Sequence, residues 1–333
     1  MPYLTLKDGS RLHYLDVGRG PPVVLLHGFG MQAAHFLPFV LPHARRHRFV
    51  MLDLRGFGGS RLLPLRTPDF LRSHADDVHE AMSQMRLDRP ALGGISMGAA
   101  TALAYLERHG FDEFRSYLHI DQSPRILNDA TYRHGLFGDD QSQVMSDWVE
   151  VAERLEQSGR GTPYRALPMD LRHAFTRVLA RFFSYAFHLP VARAASGLVR
   201  FEKLAKRFVD PENWPLYLDA IRAYGSQDYD FRPSLGDVKI PMQIFIGTES
   251  RMYPPAGQIE IRDHVPHAEI VHFARTGHAV PIEAPVRFVR ALGRWLDGSL
   301  HLQKNNEPPR RRGRQESGNS LAGLAAWRLI FFL

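Results

Sequence analysis

Ala91-Leu-Gly-Gly-Ile-Ser-Met-Gly-Ala-Ala100 is an apolar run that breaks into glycines around one serine and then passes into good helix formers. It reads as strand, sharp elbow and helix, with Ser96 at the tip. Gly94 and Gly98 flank the serine, where a strained strand-to-helix turn needs backbone free of Cβ atoms. The helical composition continues to His109 and stops at Gly110, a residue suited to a helix C-terminus. Ser96 therefore stands at a helix N-terminus, where negative charge is favoured.

Working outward, Val23-Val-Leu-Leu-His-Gly-Phe-Gly30 is a uniformly apolar strand run ending in a glycine loop, and Thr276-Gly-His-Ala-Val-Pro-Ile-Glu-Ala-Pro285 lies far after the elbow. Tyr3 to Leu6 and Arg11 to Asp16 predict a hairpin around Lys7-Asp-Gly-Ser10. Further strands are predicted at Phe49–Leu52, Tyr117–Ile120, Gln243–Ile246 and Ile270–Phe273. Phe70, Leu71, Val78, Met82 and Met85 recur at helical spacing, with Asp76, Asp77 and Glu80 expected on the side facing water. Val286, Val289, Leu292 and Trp295 give one apolar face of a final helix. Strands alternating with helices imply a mostly parallel, doubly wound α/β sheet. Asp53-Leu-Arg-Gly-Phe-Gly-Gly-Ser60 is rich in glycine but lacks the spacings and the lysine of phosphate loops. It reads as a structural turn.

In the elbow, the His27-Gly-Phe-Gly30 loop and the His278 segment, the chain resembles the α/β-hydrolase superfamily over about residues 1–300, nearest its esterases and cofactor-free haloperoxidases. The resemblance implies an α/β-hydrolase fold of eight strands, with a core formed by 1–122 and 238–300 and a helical cap, 123–237, inserted after the sixth strand. It also implies Ser96 as nucleophile, His278 as its base, and an oxyanion hole from the backbone N–H groups of Phe29 and Met97. Haloalkane dehalogenases and epoxide hydrolases of this fold carry aspartate at the elbow, so Ser96 argues against both. The insert holds Trp148, Phe175, Phe182, Phe183, Tyr185, Phe187, Trp214 and Tyr217. The crowding of rings at 181–187 predicts that some line an apolar pocket above Ser96.

The acidic partner of His278 departs from the family's common pattern, which places aspartate third after the glycine ending the seventh strand. That position is Ser250 in Gly247-Thr-Glu-Ser250. A hydroxyl cannot stabilise an imidazolium as a carboxylate does. Asp121, at the end of the sixth strand, is the preferred candidate, since some members of the superfamily take their acid from there, and Glu249 is the alternative. Asp121 could equally cap the chain before Ser123-Pro124.

The 333 residues carry a formal charge of +7 and no cysteine. Disulfides, thiolate nucleophiles and Cys-ligated zinc are excluded, and a cytoplasmic location is expected. Residues 301–333 hold six Lys or Arg against two Glu, so +4 of the +7 lies in this tail. No basic stripe interleaved with aromatics marks a nucleic-acid surface. The tail reads as disordered, with an apolar end, Leu321 to Leu333, too short to span a bilayer but able to lie on a membrane surface. No metal-binding spacing appears, and no cofactor is expected. The expected activity is hydrolysis of a moderately apolar ester, thioester or lactone through an acyl-enzyme. Carbon–carbon hydrolysis and perhydrolysis would use the same residues. A non-catalytic ligand-binding or signalling protein on the same scaffold is the remaining reading, and a carboxylate within about 3 Å of His278 Nδ1 would remove its main support.

Overall fold

A computed structural model describes residues 2–197 and 211–305. Eight strands form one sheet: β1 (Tyr3–Thr5), β2 (Arg11–Gly18), β3 (Pro22–Leu26), β4 (Arg48–Leu52), β5 (Ala91–Ile95), β6 (Ser116–Ile120), β7 (Met242–Gly247) and β8 (Glu269–Phe273). Their order is β1-β2-β4-β3-β5-β6-β7-β8, with β2 antiparallel to both its neighbours, β1 and β4, and every other pairing parallel. The central strands are apolar on both faces because helices cover both. Val24, Leu26, Val50 and Leu52 enter one core, while Val23, Leu25, Phe49 and Met51 enter the other, the period-2 alternation of extended chain.

The register aligns the carboxyl ends that matter. Leu26 pairs with Gly94, Ile95 with Ile120, and Ile120 with Phe245. The loops after β3, β5, β6 and β7 therefore emerge side by side, at the edge where open α/β sheets bind ligands.

Counting helices longer than ten residues, α1 spans Phe70–Met85 and α2 Met97–His109. Asp69 caps α1 by accepting from the Arg72 N–H at 3.2 Å. The helical spacing of Phe70, Leu71, Val78 and Met82 does face the core. The expectation for its opposite side needs correction: Asp77 and Glu80 are buried, and Asp76 is half-exposed. Asp77 pairs with Arg55 at 2.5 Å and with Arg66 at 2.6 Å, and Glu80 pairs with Arg66 at 2.7 Å. Arg55 belongs to the glycine-rich turn after β4, and it is this buried cation that draws the carboxylates inward. Asp53 holds the same turn by accepting from the backbone N–H groups of Ala33 and Gly59.

Between β6 and β7 the chain makes α3 (Gln141–Gln157), α4 (Met169–Ala186) and α5 (Trp214–Ser226) with shorter turns. α6 (Pro285–Asn305) covers the second face of the sheet. Among the described residues no helix is long and apolar enough to cross a membrane. The basic and apolar tail segments read from the sequence, 306–333, lie outside the described residues.

Three fully buried histidines set a pH dependence. Burial pushes His27 and His119 down to about 4 and His74 to about 3. Above about pH 6.5 each is neutral in both states. Below it the unfolded chain takes up protons that the fold refuses, so stability falls as pH drops toward 4. Denaturant unfolding across that window is expected to lose several kcal/mol. His119→Gln should flatten the slope; a pH-independent midpoint between 6.5 and 4.5 would contradict the assignment.

Candidate active site

Ser96 joins β5 to α2 with φ 52° and ψ −124°, a backbone state that costs a non-glycine residue about 1–3 kcal/mol. Its surroundings over-determine it. The Ser96 N–H donates to the Ile120 carbonyl at 2.9 Å, and the Ser96 carbonyl accepts from the Ala99 and Ala100 N–H groups. The flanking glycines are required by packing: a Cβ on Gly98 would overlap the Leu26 carbonyl oxygen, and one on Gly94 would come within 2.5 Å of the Gly98 carbonyl oxygen. Backbone, unlike a side-chain tip, cannot rotate away. Gly98→Ala is therefore expected to destabilise the fold by at least about 2 kcal/mol. A soluble Gly98→Ala protein with an unaltered thermal midpoint would contradict this reading of the elbow.

Two residues distant in sequence meet beside the elbow. The His278 Nδ1 lies 2.7 Å from Asp121 Oδ1. Asp121 is fully buried at the end of β6 with φ 45°, held by its N–H to the Phe245 carbonyl at 3.0 Å. The Gly247 N–H donates to Oδ2 at 2.8 Å, and the Ser250 hydroxyl donates to Oδ1 at 2.6 Å. Three donors thus converge on one carboxylate, which suits an acceptor-only group. The alternative, Glu249, is exposed, and its carboxylate meets the Thr248 hydroxyl at 3.4 Å. Ser250, where the family's common acid is absent, contributes a hydrogen bond to the carboxylate from the loop after β7. Its hydroxyl was the available signal, because a donor beside an acid's usual place can serve an acid placed elsewhere.

The loop after β3 comes up against the elbow, since a Cβ on Gly28 would touch the Ser96 Cβ at 3.4 Å. His27 pins this loop. Its ring donates from Nδ1 to the Gly28 carbonyl at 2.8 Å and accepts at Nε2 from the Leu54 N–H at 3.1 Å. The low His27 pKa keeps the ring neutral, as that donor–acceptor pair requires. Phe29 follows Gly28, and Met97 is the first residue of α2, whose N–H has no partner within its own helix.

Residues 21–285 match the family model for the alpha/beta hydrolase fold. The chain belongs to the α/β-hydrolase family. It is similar to the AB hydrolase superfamily protein YisY of Bacillus subtilis (strain 168), 27% identical over 83% of this chain and 91% of that protein. It is also similar to the pimeloyl-[acyl-carrier protein] methyl ester esterase of Chromobacterium violaceum, 26% identical over 84% of this chain and 96% of that protein. An esterase from Exiguobacterium antarcticum shares the fold with a TM-score of 0.69 at 20% identity, over 89% of this chain and 98% of that one.

In this α/β hydrolase a cavity of about 20 Å³ adjoins Ser96, walled by Phe29, Met97, Trp148, Phe182 and Tyr253. A second cavity of similar volume lies beyond Phe29 and Trp148, against Leu155, Phe175, Leu179 and Tyr217. Of the rings at 181–187, Phe182 alone is among the residues lining either cavity. Tyr185 instead donates to Asp140 at 2.8 Å, and the Trp214 indole donates to the Thr162 carbonyl at 3.1 Å. Those two rings serve the packing of the helices themselves.

Glu283 of the hydrolase has a role that the sequence reading missed, although the residue stands in the His278 segment. Its carboxylate accepts from the Gly277 N–H at 2.5 Å, and from the N–H groups of His188 and Leu189 at 2.9 and 2.8 Å. The Ala279 N–H adds a bond to the Ala186 carbonyl at 2.8 Å. The loop carrying His278 is thereby tied on both sides to the end of α4. Among the described residues no His, Asp and Glu cluster is arranged to hold a metal ion.

Proposed function

We propose that this chain is a serine hydrolase that cleaves a moderately apolar carboxylic ester, thioester or lactone through an acyl-enzyme on Ser96. The observation that carries the reading is the 2.7 Å contact between His278 Nδ1 and the buried Asp121 carboxylate, beside a serine held in the strained elbow geometry. A carboxylate in that place takes away the main support for a decayed, non-catalytic scaffold. Both similar proteins named as esterases support the same reaction class.

In this reading the Nδ1–H of His278 is held by Asp121, leaving Nε2 free to accept the Ser96 proton. Ser96 Oγ attacks the carbonyl carbon, and the N–H groups of Phe29 and Met97 stabilise the oxyanion. The imidazolium returns its proton to the leaving alcohol, or to the thiol of a thioester, and the acyl group remains on Ser96. His278 then deprotonates a water, which attacks the acyl-enzyme and releases the acid. The chemistry asks for no metal or cofactor. The described helices within 123–237 act as a cap, since α3, α4 and α5 supply Trp148, Phe182 and Tyr217 to the cavity walls. A cavity of about 20 Å³ holds about one water, so the walls must part for an ester to enter.

The test is a p-nitrophenyl ester series from acetate to octanoate with stopped-flow detection. A burst of p-nitrophenolate followed by steady turnover, together with fluorophosphonate labelling of Ser96, is expected. Neither burst nor labelling across the series would overturn the proposal.

A further inference from the structure

Trp148 lines both cavities and is 5% exposed, yet its indole N–H is buried and has no hydrogen-bond partner among the described residues. Its ring is fixed by Phe137 and Phe182, whose centroids lie 5.6 and 5.4 Å away. Apart from Tyr217, the rest of the outer compartment's wall is apolar, with Val151, Leu155 and Leu179 among its residues. A buried donor left unpaired is costly, and most such groups in folded proteins are satisfied. By contrast, the Trp214 indole in the same helical segment has its carbonyl acceptor in Thr162. An unpaired donor in the wall between the serine and an apolar end compartment is the arrangement of a site that reads a polar atom within an otherwise apolar chain.

We infer that Trp148 Nε1 is a substrate-binding donor, and that the acyl group of the natural substrate carries a hydrogen-bond acceptor, a ketone or comparable oxygen, partway along an apolar chain. This rests on the hydrolase reading above and deepens it. The ester carbonyl sits at Ser96, the mid-chain oxygen accepts from Trp148, and the apolar end occupies the compartment beyond Phe29. A plain alkyl chain of the same length leaves the indole N–H unsatisfied and is the poorer substrate.

The experiment compares p-nitrophenyl hexanoate with its analogues bearing a ketone at the third, fourth or fifth carbon, on wild type and on Trp148→Phe. The readout is the ratio of kcat/KM for each oxo ester to that for hexanoate, which cancels general effects of the substitution on folding or acylation. At least one oxo ester is expected to exceed hexanoate by about tenfold in wild type, the size of one neutral hydrogen bond. In Trp148→Phe that ratio should fall to about one. An equal ratio in both proteins, or hexanoate preferred over every oxo ester by wild type, overturns the inference. Should Trp148→Phe fail to fold, calorimetric binding of the same esters to Ser96→Ala decides: preferential binding of an oxo ester supports the inference, and equal binding overturns it. Failure of the hydrolase reading has a different signature, loss of both turnover and fluorophosphonate labelling in wild type, and the binding comparison still decides on the Trp148 donor.

Discussion

Asp121→Asn is expected to lower kcat on a p-nitrophenyl ester by about 10⁴-fold while leaving the fold intact. The substitution is nearly isosteric, and the Gly247 N–H that donates to Oδ2 at 2.8 Å selects which end of the new amide faces it. The carbonyl end must accept that bond, so the NH2 end turns toward Ser250 and His278. An NH2 group cannot accept the Nδ1–H of the imidazole. The ring then adopts the other tautomer, with its proton on Nε2, and cannot take the proton of Ser96. Glu249→Gln should stay within about twofold of wild type, because the Glu249 side chain is exposed and directed to Thr248. Ser250→Ala removes one of the donors on Asp121 and should fall between the two. The checking measurements are kcat for all three variants and their thermal midpoints. Undiminished turnover in Asp121→Asn, or a loss confined to Glu249→Gln, would move the acid off β6.

The second large effect concerns the nucleophile itself. Ser96→Ala should remove the burst and fluorophosphonate labelling, and reduce turnover by about 10⁶-fold, leaving only what substrate positioning supplies. Alanine can occupy the φ 52° backbone no less readily than serine, since both carry a Cβ. The thermal midpoint should therefore stay within a few degrees, and the loss would be chemical. Residual hydrolysis within tenfold of wild type would point to another nucleophile or to direct attack by water.

The strand-elbow-helix reading of residues 91–109 was legible because glycine spacing and apolar periodicity are local properties of the chain. So was the order of the strands' apolar runs. The placing of Asp121 against His278 was only half legible: the residues are 157 apart in sequence, and nothing local ranks one loop carboxylate above another. What sets Asp121 apart from Glu249 is the parallel pairing of β6 with β7, which brings Gly247 and Ser250 to the Asp121 carboxylate. The inward turn of Asp77 and Glu80 was missed for a similar reason. Periodicity assigns carboxylates to water unless a buried cation such as Arg55 waits on another element. The cavity walls were legible only in part: Phe182 does line the cavity beside Ser96, but an aromatic count cannot tell it from Phe183, and only the packing of α3 against α4 does.

The Glu283 carboxylate clasps Gly277 with one oxygen and the 188–189 turn with the other. The two ends of this clasp belong to different parts of the molecule, the loop that carries His278 and, in the proposed hydrolase, the edge of its cap just past α4. A roof that swings outward at residues 188–189 must either drag the imidazole's loop along or break these bonds. In the proposed hydrolase, an entrance hinged there would be geared to the His278 loop, so that opening would pull on the Gly277 contact and shutting would restore it.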